Sequence, residues 1–140
     1  MSSEGLIGLR LTGLLKRAQA QLVGGLGPAL SPFGIDGREL AVLAALAAHG
    51  PVSQQEISQA LTIDRTTMVA LVDGLTAKGL VARKPDPSDR RKNLVEATAQ
   101  GRSVAERAGP AVDEVERRFL EPVAAADREA LLRILRELTG

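Results

Sequence analysis

Ser53-Gln54-Gln55-Glu56-Ile57, followed at a short distance by Asp64-Arg65-Thr66-Thr67-Met68, decides the fold of this 140-residue chain. Ser53 and Glu56 have capping-box spacing: the serine oxygen accepts from the N3 amide and the glutamate reaches back. The helix they open is short, with Ile57, Ala60 and Leu61 directed inward. Asp64 caps a second helix a few residues later. Ile63 and Met68 take its N′ and N4 positions, where a hydrophobic staple fixes how the chain enters the helix. Met68, Leu71, Val72 and Leu75 recur at helical spacing as its buried face, and Lys78-Gly79 supplies its C-terminal signal. A short helix, a tight turn and a longer helix predict a helix-turn-helix.

Working outward, Leu80 to Lys84 reads as a strand, Pro85-Asp86-Pro87-Ser88-Asp89 as a turn, and Asn93 to Ala97 as a returning strand. Proline fixes φ, and Asp and Ser favour turns through local hydrogen bonds. The resulting basic hairpin, placed directly after a helix-turn-helix, reads as a wing. Upstream, Asp36 and Glu39 form a capping pair for a helix continued by Leu40, Leu43, Leu46 and Ala47 and stopped at Gly50-Pro51. Before that, Ile7, Leu11, Leu14, Leu15, Ala18, Leu22 and Leu26 stripe one face of a helix over 6–26. The segment Gly24 to Gly34 is expected to end it as a connector. Downstream, Thr98 caps a long helix with Val104, Ala108, Val112, Val115 and Phe119 on one face, which Gly109-Pro110 is expected to kink or break. Leu131, Leu132, Ile134, Leu135 and Leu138 mark a last helix.

The expected fold is therefore mostly α with a small β-hairpin wing, a winged helix-turn-helix. Three parts make one compact chain: 1–34 (N-terminal dimerisation helix and connector), 35–97 (DNA-binding domain) and 98–140 (C-terminal dimerisation helices). The first and last helices carry more leucine than a monomer of this size can cover. Packing against a symmetry mate removes that surface from water, so a homodimer is expected.

Charge is distributed unevenly although the net is only +1. Residues 1–63 hold four cationic and four acidic side chains, residues 64–93 seven against four, and residues 94–140 seven against nine. The central segment is the basic one, as an electrostatic footprint on nucleic acid requires, although a solvated face has the same composition. Arg65, Thr66 and Thr67 stand at the N-terminal end of the second helix, where base edges and phosphates are approached. Arg90, Arg91 and Lys92 follow the hairpin turn and suit a narrow, negative minor groove. Asp89, two residues before Arg91, shares its face on an extended strand and is placed to orient the guanidinium by bidentate bonding.

Other classes are poorly supported. His49 is the only histidine and sits at a helix end, where the dipole favours it structurally. No nucleophile–base pair, metal-ligand spacing or glycine-rich phosphate loop occurs, so neither an enzyme nor a metal site is expected. With no cysteine, disulfides and thiol-based sensing are excluded. No apolar run is long enough to span a bilayer and nothing resembles an export signal, so the cytoplasm is the expected location.

Ser53 to Ile57, Asp64-Arg65-Thr66-Thr67-Met68-Val69, Leu71-Val72-Asp73, Lys78-Gly79-Leu80-Val81 and Asp86-Pro87-Ser88-Asp89-Arg90-Arg91 resemble the MarR family of transcriptional regulators. The Asp-x-Arg core of the wing, Asp89 and Arg91, is the most specific part. The resemblance implies a homodimeric repressor joined through its terminal helices and bound to pseudo-palindromic double-stranded DNA. No cofactor is required, but a small phenolic or anionic effector near the junction of the dimer and DNA-binding parts is implied. The DNA-binding set is Ser53, Gln54, Arg65, Thr66, Thr67, Val69, Arg83, Arg90, Arg91 and Lys92, with Asp89 orienting the wing. Val69 and Ala70 stand where many members carry a Ser or Thr and then an Arg, and Val69 suits a thymine methyl instead. Leu14, Arg17, Phe33 and His49 are considered as lining for an effector site, and none is assigned. The competing reading is a winged-helix protein-interaction module without specific DNA binding.

Overall fold

A computed structural model describes residues 10–140. Ile7 and the expected start of the first helix lie outside them. Along the chain run α1 (Arg10–Leu30), a 3-10 turn (Ser31–Phe33), α2 (Gly37–His49), β1 (Val52–Ser53), α3 (Gln54–Leu61) and α4 (Arg65–Ala77). β2 (Val81–Asp86), β3 (Asp89–Ala97), α5 (Ala99–Phe119) and α6 (Ala125–Thr139) complete it. The three strands form one antiparallel sheet in the order β1-β3-β2.

The core is built by short-range signals that agree with one another. Asp36 and Glu39 close a complete capping box on α2: the Glu39 amide donates to Asp36 at 2.9 Å and the Asp36 amide to Glu39 at 3.1 Å. That box holds α2 so that Val42, Leu43 and Leu46 are buried, while Ala47, expected on the same face, is exposed. Ile57 and Met68, Val72 and Leu75 reach the same core from α3 and α4, and Val81, Val95 and Ala97 reach it from the sheet. Ser58 is buried beside Ile57, whereas Ala60 faces solvent, against expectation. Ile63 packs against the core to which fully buried Met68 belongs, consistent with the staple.

Neither of two expected interruptions ends its helix. α1 continues through Gly24, Gly25, Gly27 and Pro28 to Leu30, so the connector shrinks to Ser31–Phe33 and a left-handed Gly34. Packing overrides local propensity here. Leu30 is fully buried and draws the last turn into the core, and a Cβ on Gly25 would stand 2.9 Å from Val115 Cγ1. α5 likewise runs unbroken past Gly109-Pro110. The carbonyl that Pro110 cannot bond belongs to Glu106, an exposed residue, so the missing bond falls on the solvent side of the helix.

At the start of α5, Thr98 Oγ1 accepts the Gly101 amide at 3.0 Å and donates to the Gly79 carbonyl at 2.7 Å. α6 buries no residue in its own chain: Leu131, Leu132, Ile134 and Leu138 are exposed, as are Leu11, Leu14 and Leu15 on α1.

Candidate nucleic-acid interface

The outer face of α4 presents Arg65, Thr66, Val69, Ala70 and Asp73, all exposed, while Met68, Val72 and Leu75 anchor the opposite face. Thr67 does not share that outer face in the same way. Its amide donates to Asp64 at 3.0 Å and its hydroxyl to the same carboxylate at 2.6 Å, so Thr67 serves the cap. These two bonds, the hydroxyl first, hold the Asp64 carboxyl below its ordinary value. The cap is therefore intact above the ordinary carboxylate range and weakens as pH falls through the lowered value.

α3 enters in front of α4. Ser53 accepts the Glu56 amide at 3.1 Å, and its hydroxyl donates to the Glu56 carboxylate, also at 3.1 Å. The glutamate thus answers through the serine hydroxyl, where a full capping box would use the serine amide. At the far end of α4, Lys78 Nζ bonds buried Glu39 at 2.7 Å and the Gly34 carbonyl at 2.8 Å, tying the helix to the start of α2.

The hairpin is longer than its sequence suggests. Pro85, Asp86 and Asp89, read as turn residues, belong to β2 and β3, and only Pro87-Ser88 turns the chain. Asp86 accepts the Ser88 amide at 2.9 Å and its hydroxyl at 2.8 Å, which closes the turn and holds the Asp86 carboxyl low. Register explains the basic cluster. Pro85 pairs with Asn93, but the next residue, Asp86, pairs with Asp89, leaving Arg90, Arg91 and Lys92 looped out of the ladder. Proline has no amide to continue the pairing at that point. All three cations are exposed. Asp89 accepts the backbone amide of Arg91 at 3.1 Å, so it orients the main chain at Arg91; the expected bidentate bond to the guanidinium is replaced by this one.

Arg83 has a different setting. It lies on the sheet face shared with Val81, paired across the ladder with Val95, and points back toward the helices. Its Nη2 forms an ion pair with Asp73 of α4 and its Nε donates to Gln54 Oε1 at 3.4 Å. Asp73 was not among the residues expected at the site. Only its position four residues after Val69, on the exposed face of α4, signals it. Lys84, on the opposite sheet face, lies 3.4 Å from Glu96.

Behind the helix-turn-helix, a cleft of about 710 Å³ opens between α1, the start of α2 and the α3–α4 turn. Val23, Leu26 and Ile63 supply apolar wall and Arg38, Asp36 and Thr67 polar groups. Leu14, Arg17, Phe33 and His49 are not among its lining residues; His49 borders a smaller hollow of about 400 Å³ with Val52, Glu56 and Ile57. Among the described residues no group of His, Cys, Asp and Glu is arranged to hold a metal ion, and no helix is long and apolar enough to cross a membrane.

Two helices at a tight turn, a three-stranded sheet and a basic hairpin define a winged helix-turn-helix protein. The model of the MarR family matches residues 33–92. The chain belongs to the MarR family, whose members are transcriptional regulators. Among its relatives is the HTH-type transcriptional repressor NicR of Pseudomonas putida, 35% identical over 71% of this chain; the match spans 63% of that repressor's length. The transcriptional repressor CouR, solved bound to a 23-mer DNA duplex, is 32% identical with a TM-score of 0.88, covering 100% of this chain and 99% of that one. BpsR of Bordetella bronchiseptica, whose DNA binding is regulated by 6-hydroxynicotinic acid, is 28% identical with a TM-score of 0.85, covering 94% and 100%.

Proposed function

We propose that this chain is a repressor that binds pseudo-palindromic duplex DNA as a homodimer, with α4 in the major groove and the β2–β3 hairpin in the minor groove. The observation that carries this reading is the looped-out run Arg90–Lys92, unpaired, exposed and close in sequence to a two-residue turn. A narrow minor groove concentrates negative potential, and an arginine freed from the ladder can enter it. Arg65 and Thr66 would meet phosphates and base edges at the positive end of α4, with Val69 against a thymine methyl. Such a protein works in the cytoplasm, where the DNA lies. The division of labour is 35–97 for DNA and the flanking segments for pairing.

In vitro selection from random duplex DNA, followed by titration at several salt concentrations, tests the reading. An inverted repeat with half-sites about one turn apart and a steep salt slope is expected. Arg91→Ala should weaken binding to the selected duplex about tenfold with the fold intact. Unchanged affinity at moderate salt would sink the wing assignment. If no sequence is enriched and binding is weak at every salt, the protein-interaction reading replaces this one.

The cleft beside α1 and α2 favours an effector as well. Arg38 and the N-terminal end of α2 suit a carboxylate or phenolate, and Val23, Leu26 and Ile63 suit a small ring. BpsR, whose DNA binding is regulated by 6-hydroxynicotinic acid, supports a small aromatic acid as the ligand class. Because Asp64 and Thr67 line the same cleft, a ligand there touches the cap of α4 directly. Adding 6-hydroxynicotinic acid or benzoate at millimolar concentration should raise the melting temperature and weaken DNA binding. Arg38→Ala should abolish both responses; their persistence in that variant would place the ligand elsewhere.

A further inference from the structure

We propose that Arg83 is a positioning residue, a strut that sets the hairpin against α4, and that it does not serve as a phosphate contact. This rests on the DNA-binding reading above. The geometry is specific. One guanidinium bridges three elements: it stands on β2, pairs with Asp73 of α4 through Nη2 and donates to Gln54, the first residue of α3, through Nε. Its side chain is 30% exposed and occupies the inner face of the sheet, in register with buried Val95. Lys84, by contrast, faces outward.

The role of Asp73 decides between the two readings. It is the only acid on the α4 face that presents Arg65, Thr66, Val69 and Ala70, and its side chain is 60% exposed. A carboxylate there opposes the approach of phosphates. If Arg83 were itself a phosphate ligand, Asp73 would only compete for it, and removing Asp73 would tighten DNA binding. If the pair is a strut, removing Asp73 lets the hairpin shift relative to α4, and the major- and minor-groove contacts can no longer be made at once. An ion pair this exposed adds little to folding stability, so global unfolding is not the expected consequence.

Asp73→Ala therefore has opposite signs under the two readings. The strut predicts that Asp73→Ala and Arg83→Gln each weaken binding to the selected inverted repeat about tenfold, and that the double variant loses no more than the worse single one. Asp73→Ala should leave affinity for random-sequence duplex and its salt slope unlowered. Unchanged or tighter specific binding by Asp73→Ala, with Arg83→Gln lowering the salt slope by about one, overturns the proposal in favour of a phosphate contact. A DNA-free measurement separates its failure from failure of the DNA reading. The chain has no cysteine, so spin labels at Ser88→Cys and Gln59→Cys, diluted with unlabelled chain, report the distance from hairpin to α3 alone. Asp73→Ala and Arg83→Gln should each broaden that distribution; an unchanged distribution overturns the strut whether or not DNA is bound.

Discussion

Gly101→Ala is expected to destabilise the fold by about 3 kcal/mol or more, lowering the melting temperature by roughly 10 °C. A Cβ at this position would stand 2.0 Å from the Leu80 carbonyl oxygen and 3.2 Å from Leu43 Cδ2. Neither neighbour has room to move. The Leu80 carbonyl already accepts the Thr98 amide at 3.0 Å, and Leu43 is fully buried in the core. The Gly101 amide is itself fixed by Thr98 Oγ1, so α5 cannot retreat without releasing its cap. The substitution thus forces apart the joint between the helix-turn-helix, the sheet and α5. Gly74→Ala in α4 is the matched comparison. Nothing lies within 4 Å of a Cβ there, so helix propensity alone acts and stability should rise by about 0.5–1 kcal/mol. Thermal or urea unfolding reads both, and a Gly101→Ala protein that melts with the wild type would refute the close approach of α5 to Leu80.

The contrast between these glycines indicates what a linear sequence can express. Signals confined to a few residues were legible: the Asp36–Glu39 box, the Ser53 and Asp64 caps, the Ile63–Met68 staple and the Thr98 cap all appear where their spacing put them. Features governed by distant partners were not. Gly24 to Pro28 has the composition of a connector, yet Val115 and the core around Leu30 hold it helical. Pro85 to Asp89 has the composition of a long turn, yet cross-strand pairing extends both strands into it and leaves only Pro87-Ser88 to turn. The basic run Arg90–Lys92 could be read from the chain, but its exclusion from the ladder depends on register. Arg83 shows the same limit at the level of a single side chain. As a cation between Lys78 and Lys84 it looked like one more DNA contact, and only the fold places Asp73 and Gln54 around it.

Disrupting the terminal helices should have the largest functional effect of any change outside the hairpin. Leu14 on α1 and Leu138 on α6 are 58% and 69% exposed in the single chain, so aspartate at either site stays largely in solvent there. In the proposed homodimer both side chains would face the partner, and two carboxylates per chain would have to be desolvated at its interface. The double variant Leu14→Asp/Leu138→Asp is therefore expected to sediment as a monomer with most of its helix content retained, because no residue of α6 is fully buried within its own chain. Its affinity for a single half-site should be near that of the wild type. Affinity for the full inverted repeat should fall at least about a hundredfold, since the second half-site is then no longer presented at the high effective concentration that the dimer provides. The comparison separates two roles that a loss of binding alone would merge. Weaker binding to both half-site and repeat would implicate the DNA-contacting domain, whereas loss confined to the repeat isolates the geometry of the pair. A variant that remains a dimer would move the interface away from α1 and α6, and the exposed leucines of those helices would then require another partner.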